Sequence, residues 1–462
     1  MIKIDKTDSV HNLFNKMSSE SEYIEVYENN TTVDRIIVEK VTRSVHTDPF
    51  FICNISEIFR KGSMWGNLLP RIKPFYAVKA NSNVLVVKIL ADLGVNFDCA
   101  SKYEIDLVLS LGVQPSRIIY AHSIKSPGYI QHAAELGIKL MTFDNEEELR
   151  KMKKIYPDVH AVIRIRCNSK NAVVKFGSKF GCDVENEADD LVKLARDLHV
   201  NLVGVSFHIG IGCKDLPSYY NAIKSARLVF NIAKRYGYNL HMLDIGGGFP
   251  GADDSIFKEI TMTVNNALDT YFSDHSIQII GEPGTFLVDS AFTLACSVTS
   301  RKFRSDQWIY YINDGIYGSF NKGTSFEHQF TMYPLKMYSN AELHNSTVFG
   351  VTCSSIDKLI DGIKLPVLDI DDWLIFKNMG AYCLSFRTSM NGFFTPYTFY
   401  VINENGLTHH GFSECNHRFS KISLEQIEDG IYNFYEQFGV TFCVDRSFGL
   451  NSEEQESVRD TC

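Results

Sequence analysis

The sequence lacks several features that would place it in a special class of proteins. It has no run of about 18 apolar residues, so we expect no membrane-spanning helix. Its first ten residues, MIKIDKTDSV, are too charged for a signal peptide. The 11 cysteines are scattered and form no C-x-x-C pair, which predicts neither a zinc site nor a disulfide framework. Scattered thiols are typical of the reducing cytosol, so we expect a cytoplasmic protein without a metal site.

Positive charge is also scarce. The chain has 46 Lys+Arg against 55 Asp+Glu, which gives a net charge of −9. An acidic chain without a long basic run is a poor candidate for binding a nucleic-acid backbone. Hydrophobic residues make up 45% and aromatic residues 12%, which excludes disorder for most of the chain. The composition therefore predicts a soluble globular protein with no nucleic-acid or membrane partner.

From residue 49 onward, short apolar runs alternate with helix-like stretches. The runs lie at 49–53, 74–78, 96–99, 118–121, 140–143, 161–165, 202–208, 240–245 and 277–281. Buried parallel strands are continuous apolar runs of this kind. About eight or nine strand–helix units predict an α/β fold with a TIM-type (β/α)8 barrel at 49–285. A doubly wound sheet is the alternative, and the number of units favours the barrel.

The segments that flank the barrel differ from it in composition. Residues 1–48 alternate polar and apolar side chains, which predicts short strands that join a second domain. Residues 286–412 are rich in Phe, Tyr, Thr and Val, which predicts an all-β second domain. Residues 413–462 are expected to form a C-terminal helix at 423–438 and a polar tail.

Four patterns at the ends of the predicted barrel strands are candidates for chemistry. Lys79 ends the strand in PFYAVKAN, where it either reaches solvent or serves as a nucleophilic amine that is partly desolvated. Three glycines follow the strand in LDIGGGFPG, which suits a tight turn or the close approach of an anion to backbone N–H groups. His208 and Glu282 also follow strands, and each taken alone is more simply explained as a structural residue.

The order of these motifs is more specific than any one of them. Cys353, in a β-domain segment of small polar residues, is a weak signal by itself. Together, the motifs are PFYAVKAN, FDCASKYEID, GVSFHIGIGC, LDIGGGFPG, YINDGIYGSFN, DWLIFKNMGAY and MNGF. Over about residues 20–405 the chain resembles the ornithine decarboxylase family of fold type III pyridoxal-phosphate decarboxylases. This group also includes the antizyme inhibitors, which share the fold and most motifs but have lost the cofactor and the activity.

The resemblance implies an alanine-racemase-like barrel that binds pyridoxal 5'-phosphate. Lys79 would form the Schiff base, Glu282 would hold the pyridine nitrogen protonated, and His208 would stack on the ring. The other cofactor-site positions would be Asp98, Glu104, Arg164, Gly246, Gly247, Gly248, Gly284, Thr285 and Tyr382. Cys353 would reach in from the other subunit and return a proton to the product, which implies a homodimer with shared active sites. The substrate-site positions would be Tyr317, Glu327, Ser354 and Phe393, the last also from the partner subunit.

Four positions depart from the family pattern. Ile211 stands where the family has a phosphate-binding serine, and Thr285 stands where it has a phosphate-pairing arginine. Losing one charged hydrogen bond would weaken cofactor binding by roughly one to two powers of ten. Ser354 and Glu327 occupy the positions of two aspartates that hold the distal ammonium of ornithine. Since serine cannot neutralise a cation, this site would bind a buried ammonium less well.

Three hypotheses follow for the function. We favour a decarboxylase that acts on a small amino acid other than ornithine, or with relaxed selectivity. The alternatives are an ornithine decarboxylase of polyamine biosynthesis whose site tolerates the changes, and a non-catalytic regulator similar to an antizyme inhibitor. Retention of Lys79, Glu282 and Cys353 argues against the regulator, whereas the loss of both phosphate contacts argues for it. Residues 117–143 resemble the antizyme-contacting region of the family, so antizyme is a candidate partner.

Overall fold

The computed structural model describes residues 23–43, 48–167, 179–326, 330–338, 341–405 and 418–422. Within these ranges the chain forms a closed barrel of eight parallel strands and a separate ten-stranded sheet. The barrel and the mostly-sheet second domain confirm the predicted fold class. Glu327 and the helix expected at 423–438 lie outside the described residues. No helix in the described ranges combines the length and the apolar character needed to cross a membrane.

The barrel is built from short apolar strands that pair in sequence order. They are β3 (Ile72–Ala77), β4 (Asn96–Cys99), β5 (Ile118–Tyr120), β6 (Leu140–Phe143), β7 (His160–Ile165), β8 (Asn201–Phe207), β9 (Met242–Asp244) and β10 (Gln278–Gly281). Strand β10 pairs with both β9 and β3, which closes the barrel. Buried side chains from alternate positions, including Phe75, Val162 and Ile280, form a cluster of their own that fills the interior.

Helices cover the outside of the barrel. They are Ile55–Leu68, Val84–Asp92, Lys102–Ser110, Pro127–Glu135, Glu146–Ile155, Ala188–Asp197, Leu216–Arg235 and Asp254–Tyr271, with one-turn 3-10 helices at Val78–Ala80 and Pro115–Arg117. Several begin on a polar cap: the Asn145 side chain accepts the Glu148 N–H at 2.9 Å, and Asp253 accepts the Ser255 N–H at 2.9 Å. A cap of this kind satisfies an N–H that has no partner within its helix. The caps therefore fix the strand-to-helix loops at the carboxyl end of the barrel.

The second domain is a mixed sheet with strands from both ends of the chain. Its strands are β1 (Tyr23–Tyr27), β2 (Phe50–Asn54), β11 (Phe292–Arg304), β12 (Gln307–Ile312), β13 (Met332–Pro334), β14 (His344–Phe349), β15 (Lys358–Leu365), β16 (Trp373–Phe376), β17 (Tyr397–Asn403) and β18 (Arg418–Ile422). The main order is β15-β14-β12-β11-β2-β17-β1-β18, and β16 pairs with β11 and β13. Short helices at Thr285–Val288 and Asn321–Phe326, and 3-10 turns at Asp289–Ala291 and Met390–Gly392, join these strands.

Three elements differ from the sequence predictions. The strand expected at 49–53 as part of the barrel pairs instead with β11 and β17, so it belongs to the second sheet. The N-terminal region, expected to hold only strands, contains the helix Val33–Arg43, which buries Ile36 and Ile37. In the C-terminal region, expected to be a helix and a tail, residues 418–422 form a strand that pairs with β1.

Candidate active site

Six charged or polar side chains converge at the carboxyl end of the barrel. Each stands in the last part of a strand or directly after it, and the set is Lys79, Asp98, Arg164, His208, Asp244 and Glu282. Because all eight strands are parallel, their carboxyl ends meet at one face, where barrel enzymes carry their active sites. Five of the six were predicted as site residues, and Asp244 was not.

Lys79 and Asp98 form an ion pair at the centre of this face. Lys79 lies in the 3-10 turn after β3, and its Nζ donates to Oδ2 of the fully buried Asp98 on β4. Burial lowers the pKa of Lys79, but Asp98 and Glu282 outweigh this effect and leave that pKa above its ordinary value. Among the described residues none donates a hydrogen bond to Oδ1 of Asp98. The Lys79 side chain is 37% exposed, so its amine is accessible from the mouth of the barrel.

Glu104 lies beside this pair, and Arg164 lies on strand β7. Oε2 of Glu104 accepts the Ala100 N–H at 2.6 Å, while the Ser101 hydroxyl accepts the Glu104 N–H at 3.3 Å. This reciprocal arrangement starts the helix Lys102–Ser110, and burial raises the pKa of the Glu104 carboxyl. The Arg164 guanidinium lies 5.0 Å from the ring centre of Phe180. Glu104 therefore has a helix-capping role in addition to its predicted cofactor-site position, and the Ser101-x-x-Glu104 spacing in its motif is typical of such a cap.

Asp244 and Glu282 form a buried pair of carboxyl groups on neighbouring strands. Asp244 ends β9, Glu282 follows β10, and the two side chains share a hydrogen bond. Burial raises the pKa of Asp244 to about 7, although its Oδ1 accepts the Gly246 N–H at 2.8 Å. Burial, followed by the charges of Asp244 and Asp98, also raises the pKa of Glu282 well above its ordinary value. Two adjacent buried carboxyls cannot both ionise easily, and the charges of Lys79 and Arg164 only partly oppose the rise in the pKa of Glu282.

His208 and the glycine run form the next part of the site. Burial, helped by Arg164 and Lys79, holds the pKa of His208 well below its ordinary value. Its Nδ1 accepts the Gly210 N–H at 3.1 Å, so the ring is neutral with its proton on Nε2. A Cβ at Gly247 would lie 3.1 Å from that Nε2 and 2.6 Å from the Glu282 carbonyl oxygen. The glycines therefore let the backbone pass close to both side chains.

Tyr382 reaches the barrel from the second domain. Its N–H donates to the Ala80 carbonyl at 2.8 Å, next to Lys79, and it has a positive φ of 62°. A buried ion pair anchors the turn that carries it, because Lys322 Nζ lies 3.1 Å from Asp289 Oδ1. The same Oδ1 accepts the Ala381 N–H at 3.3 Å, and Lys322 also donates to the Asn378 carbonyl at 2.5 Å. Neither Lys322 nor Asp289 was singled out in the sequence.

Four further predicted residues lie on the second domain. The Tyr317 and Ser354 hydroxyls are hydrogen-bonded at 3.1 Å, and the Cys353 N–H donates to Asn391 Oδ1 at 3.3 Å. Cys353 is exposed, and Phe393 is 41% exposed. These four residues, Tyr317, Cys353, Ser354 and Phe393, form a group separate from the contacts around Lys79.

The two phosphate-site departures lie near the glycine run. Ile211 and Thr285 are half-buried, and Thr285 begins the short helix that follows Glu282. Gly284 packs tightly against the Lys79 segment, since a Cβ there would lie 3.0 Å from the Ala80 Cβ. Close packing explains why glycine stands at this position.

Comparisons with known proteins agree with this geometry. Residues 55–289 match the model of the pyridoxal-binding domain of pyridoxal-dependent decarboxylases. The chain is 43% identical to antizyme inhibitor 2 of Xenopus laevis over 374 residues, which cover 77% of this chain and 82% of that protein. It is 38% identical to ornithine decarboxylase of Mus musculus over 384 residues, which cover 79% and 83% of the two chains.

Solved structures of decarboxylases are also similar to this chain. The arginine decarboxylase of Paramecium bursaria Chlorella virus, solved with agmatine bound, superposes with a TM-score of 0.78 at 34% identity. That superposition covers 80% of this chain and all of the viral chain. The residues matched by the family model include Lys79, His208 and Glu282. The chain therefore belongs to the pyridoxal-dependent decarboxylase family, in the group that contains the ornithine decarboxylases and the antizyme inhibitors.

Proposed function

We propose that the protein is a pyridoxal-phosphate-dependent amino-acid decarboxylase whose substrate differs from ornithine. The observation that carries the proposal is the Lys79–Asp98 ion pair, held at the barrel mouth beside Glu282 and Asp244. An amine that faces an open mouth and contacts a buried carboxylate suits covalent attachment of a carbonyl cofactor. A protein that only binds a partner would not require a lysine here, because placing its charged amine among buried residues costs free energy.

The residues present fit the ring of the cofactor. Asp98 Oδ1 is buried without a hydrogen-bond donor among the described residues, and burial raises the pKa of both Glu282 and Asp244. A protonated ring nitrogen would supply the positive charge that these buried carboxyls need. The neutral imidazole of His208 presents a flat face with no charge to repel that cation. The glycine run keeps the space beside His208 and Glu282 free of side chains.

Each residue then has a distinct task. When bound, pyridoxal phosphate supplies the electron sink that accepts the electrons released as CO2 leaves. Lys79 would hold the cofactor, and Glu282 would keep a proton on the ring nitrogen. Gly246 to Gly248 would offer backbone N–H groups to the phosphate, with the Tyr382 hydroxyl nearby. Cys353 would hold the proton that returns to the α carbon of the product.

The phosphate end of the site is weaker than its ring end. Ile211 offers no hydrogen-bond donor, and Thr285 offers a hydroxyl in place of a charge. We therefore propose that the cofactor binds through Lys79, Glu282 and the glycine run, with an affinity reduced by roughly one to two powers of ten.

The substrate pocket supports a change of amino acid. Ser354 is hydrogen-bonded to Tyr317 and carries no charge, so it cannot compensate a buried ammonium. The relatives in this family are named for ornithine, lysine and arginine, whose side chains are cationic. A pocket with one carboxylate fewer than the ornithine pattern would select a different side chain.

A homodimer completes the proposal. Cys353 is exposed on the second domain, and Phe393 and Phe394 beside it are 41% and 92% exposed. Exposed aromatic side chains are common in interfaces between subunits. We propose that these residues face the barrel mouth of a second copy in a cytoplasmic dimer.

The second candidate is a regulator without activity. The 43% identity to an antizyme inhibitor and the two departures at the phosphate end favour it. A protein of this kind would bind antizyme through residues 117–143. On that surface Ile124 and Tyr129 are 49% and 43% exposed.

Absorbance of the purified protein with added cofactor tests the choice. An enzyme should develop the band near roughly 420 nm of a cofactor bound covalently to lysine. Lys79→Ala should abolish the band, and Lys73→Ala, which changes an exposed lysine on the strand that precedes Lys79, should retain it. A wild-type protein without the band, together with antizyme capture, would establish the regulator. If the band forms, a screen of amino acids for CO2 release identifies the substrate, and efficient putrescine formation would refute the altered specificity.

A further inference from the structure

A buried arginine lies beside the proposed substrate residues of the second domain. The Arg387 side chain is only 9% exposed, and its Nη2 donates to the Phe393 carbonyl at 3.0 Å and also contacts the Phe394 carbonyl. The next residue, Thr388, donates to the Tyr317 carbonyl through both its N–H and its hydroxyl at 2.9 Å. The guanidinium is therefore held in place between the Tyr317 and Phe393 segments.

The other terminal nitrogen of this guanidinium lacks a hydrogen-bond partner among the described residues. Nη1 of Arg387 is buried and has no hydrogen-bond acceptor among the described residues. Its nearest carboxylate oxygen, Asp314 Oδ1, is 3.7 Å away and already accepts the Gly315 and Ser319 N–H groups at 2.7 and 3.1 Å. Burial raises the pKa of Asp314, although the Ser319 hydrogen bond and the charge of Arg387 oppose this rise. A buried N–H without an acceptor is costly, so a ligand acceptor would be favourable here.

Arg387 lines a small cavity that two of the predicted substrate residues also line. The cavity is lined by Asp314, Tyr317, Val351, Thr352, Arg387 and Phe393, together with Gly318, Thr388 and Met390. Tyr317 and Phe393 are two of the four predicted substrate residues. The Tyr317 hydroxyl is hydrogen-bonded to a third, Ser354. Gly318 leaves space at this point, because a Cβ there would lie 2.9 Å from Arg387 Nη1. Thr352 directly precedes Cys353, the proposed proton donor.

We infer that Arg387 is a specificity determinant that binds a carboxylate on the substrate's side chain. The inference rests on the proposed function and names its substrate class, the dicarboxylic amino acids. Arg387 would donate from Nη1 to one carboxylate oxygen, and one hydroxyl of the hydrogen-bonded Tyr317–Ser354 pair would donate to the other. The uncharged Ser354 fits this ligand, because an aspartate at that position would repel it. A cationic side chain would instead meet a buried guanidinium of like charge.

Calorimetric titration of the holoenzyme with glutarate tests this inference. Glutarate has no amino group and cannot react with the cofactor, and glutaramide provides the uncharged molecule of the same shape. We expect glutarate to bind wild type and glutaramide to bind at least about tenfold more weakly. Arg387→Gln should weaken glutarate binding by about ten- to a hundredfold, the effect of one charge-assisted hydrogen bond.

Asp314→Asn is the matched control, because it disrupts the same 3.7 Å ion pair with the opposite change of charge. It should leave glutarate binding unchanged or make it tighter. If both variants lower the melting temperature alike and neither alters the affinity for glutarate, Arg387 has only a structural role and the inference fails. Equal binding of glutarate and glutaramide would also overturn it.

Turnover separates this inference from the proposed function. A holoenzyme with the lysine-bound cofactor band that releases CO2 faster from ornithine or lysine than from dicarboxylic amino acids would overturn the inference and leave the cofactor assignment intact. Absence of the band would reject the proposed function, while glutarate binding that depends on Arg387 would still support the carboxylate site.

Discussion

Replacing Lys322 by methionine should destabilise the protein more than a surface change could. The side chains of Lys322 and Asp289 are only 4% and 7% exposed, and their charged atoms are 3.1 Å apart. Methionine would leave the Asp289 carboxylate buried without its cation. Breaking a buried pair by removing one member costs about 3–5 kcal/mol of unfolding free energy. Urea denaturation, followed by tryptophan fluorescence, measures this loss as a shift of the midpoint.

The double variant Lys322→Met with Asp289→Asn separates the charge from the packing. It removes both charges, and asparagine still offers an oxygen to the Ala381 N–H. We expect it to be more stable than either single variant by about 2 kcal/mol or more, because neither charge remains unpaired. Each single variant should also weaken cofactor binding, because the pair anchors the turn that carries Tyr382. Lys125→Met, which breaks the equally buried pair with Glu148, should lower stability without moving that turn.

The pH dependence of the unfolding free energy checks the role of Lys322 independently. Burial lowers the pKa of Lys322, but Asp289 outweighs it, so the folded-state pKa lies above the usual 10.5. A group whose pKa is raised on folding contributes its full stability below its unfolded pKa and loses it as pH rises through the folded value. The difference between wild type and Lys322→Met should therefore be constant from about pH 7 to pH 9. Single variants within about 1 kcal/mol of wild type, or a double variant no better than the singles, would refute the reasoning.

Three further predictions concern the candidate site. Cys353→Ala should change stability by less than about 0.5 kcal/mol, because the thiol is exposed, yet it should reduce turnover. Mixing it with Lys79→Ala should restore about a quarter of the wild-type sites if they are shared between subunits, and no recovery would argue against sharing. Gly247→Ala should abolish the lysine-bound cofactor band, since the added Cβ would lie 2.6 Å from the Glu282 carbonyl oxygen, and a normal band would contradict this. Without cofactor, stability should fall as pH rises from about 4 towards 7, because burial raises the pKa of Asp244 from 3.8 to about 7. The melting temperature should fall less between about pH 4 and pH 7 in Asp244→Asn than in wild type. The same fall in both proteins would exclude Asp244 as the cause.

The sequence predicts the barrel well because its signal is local. Each barrel strand is a short apolar run followed by a helix. Lys79, His208 and Glu282 stand at or directly after the ends of three of these runs, so the sequence alone locates them at strand ends. The segment 49–53 is misplaced for the same reason. A strand buried on both faces has the same pattern in a barrel and in the middle of a second sheet, and only its partners β11 and β17 distinguish the two.

The residues that the sequence did not reveal depend on distant contacts. Asp244 stands inside a recognised motif, but its shared hydrogen bond with Glu282 exists only because β9 and β10 are neighbours. Arg387 has no local pattern at all, and its position depends on the carbonyls of Phe393 and Phe394 and on Asp314. The helix Val33–Arg43 is different, since its apolar residues Val33, Ile36, Ile37 and Val41 do follow a helical period. That pattern was available in the sequence.

The position of β2 has a consequence for how the chain is made. Strands β1 and β2 precede the barrel, while their partners β11 and β17 follow it, so the barrel is an insertion within the second domain. During synthesis the barrel segment is complete while β1 and β2 still lack their neighbours on both sides. Unpaired strand edges are templates for association with other chains. Strands β1 and β2 of the nascent protein therefore need protection from such association until Phe292–Arg304 and Tyr397–Asn403 have been made.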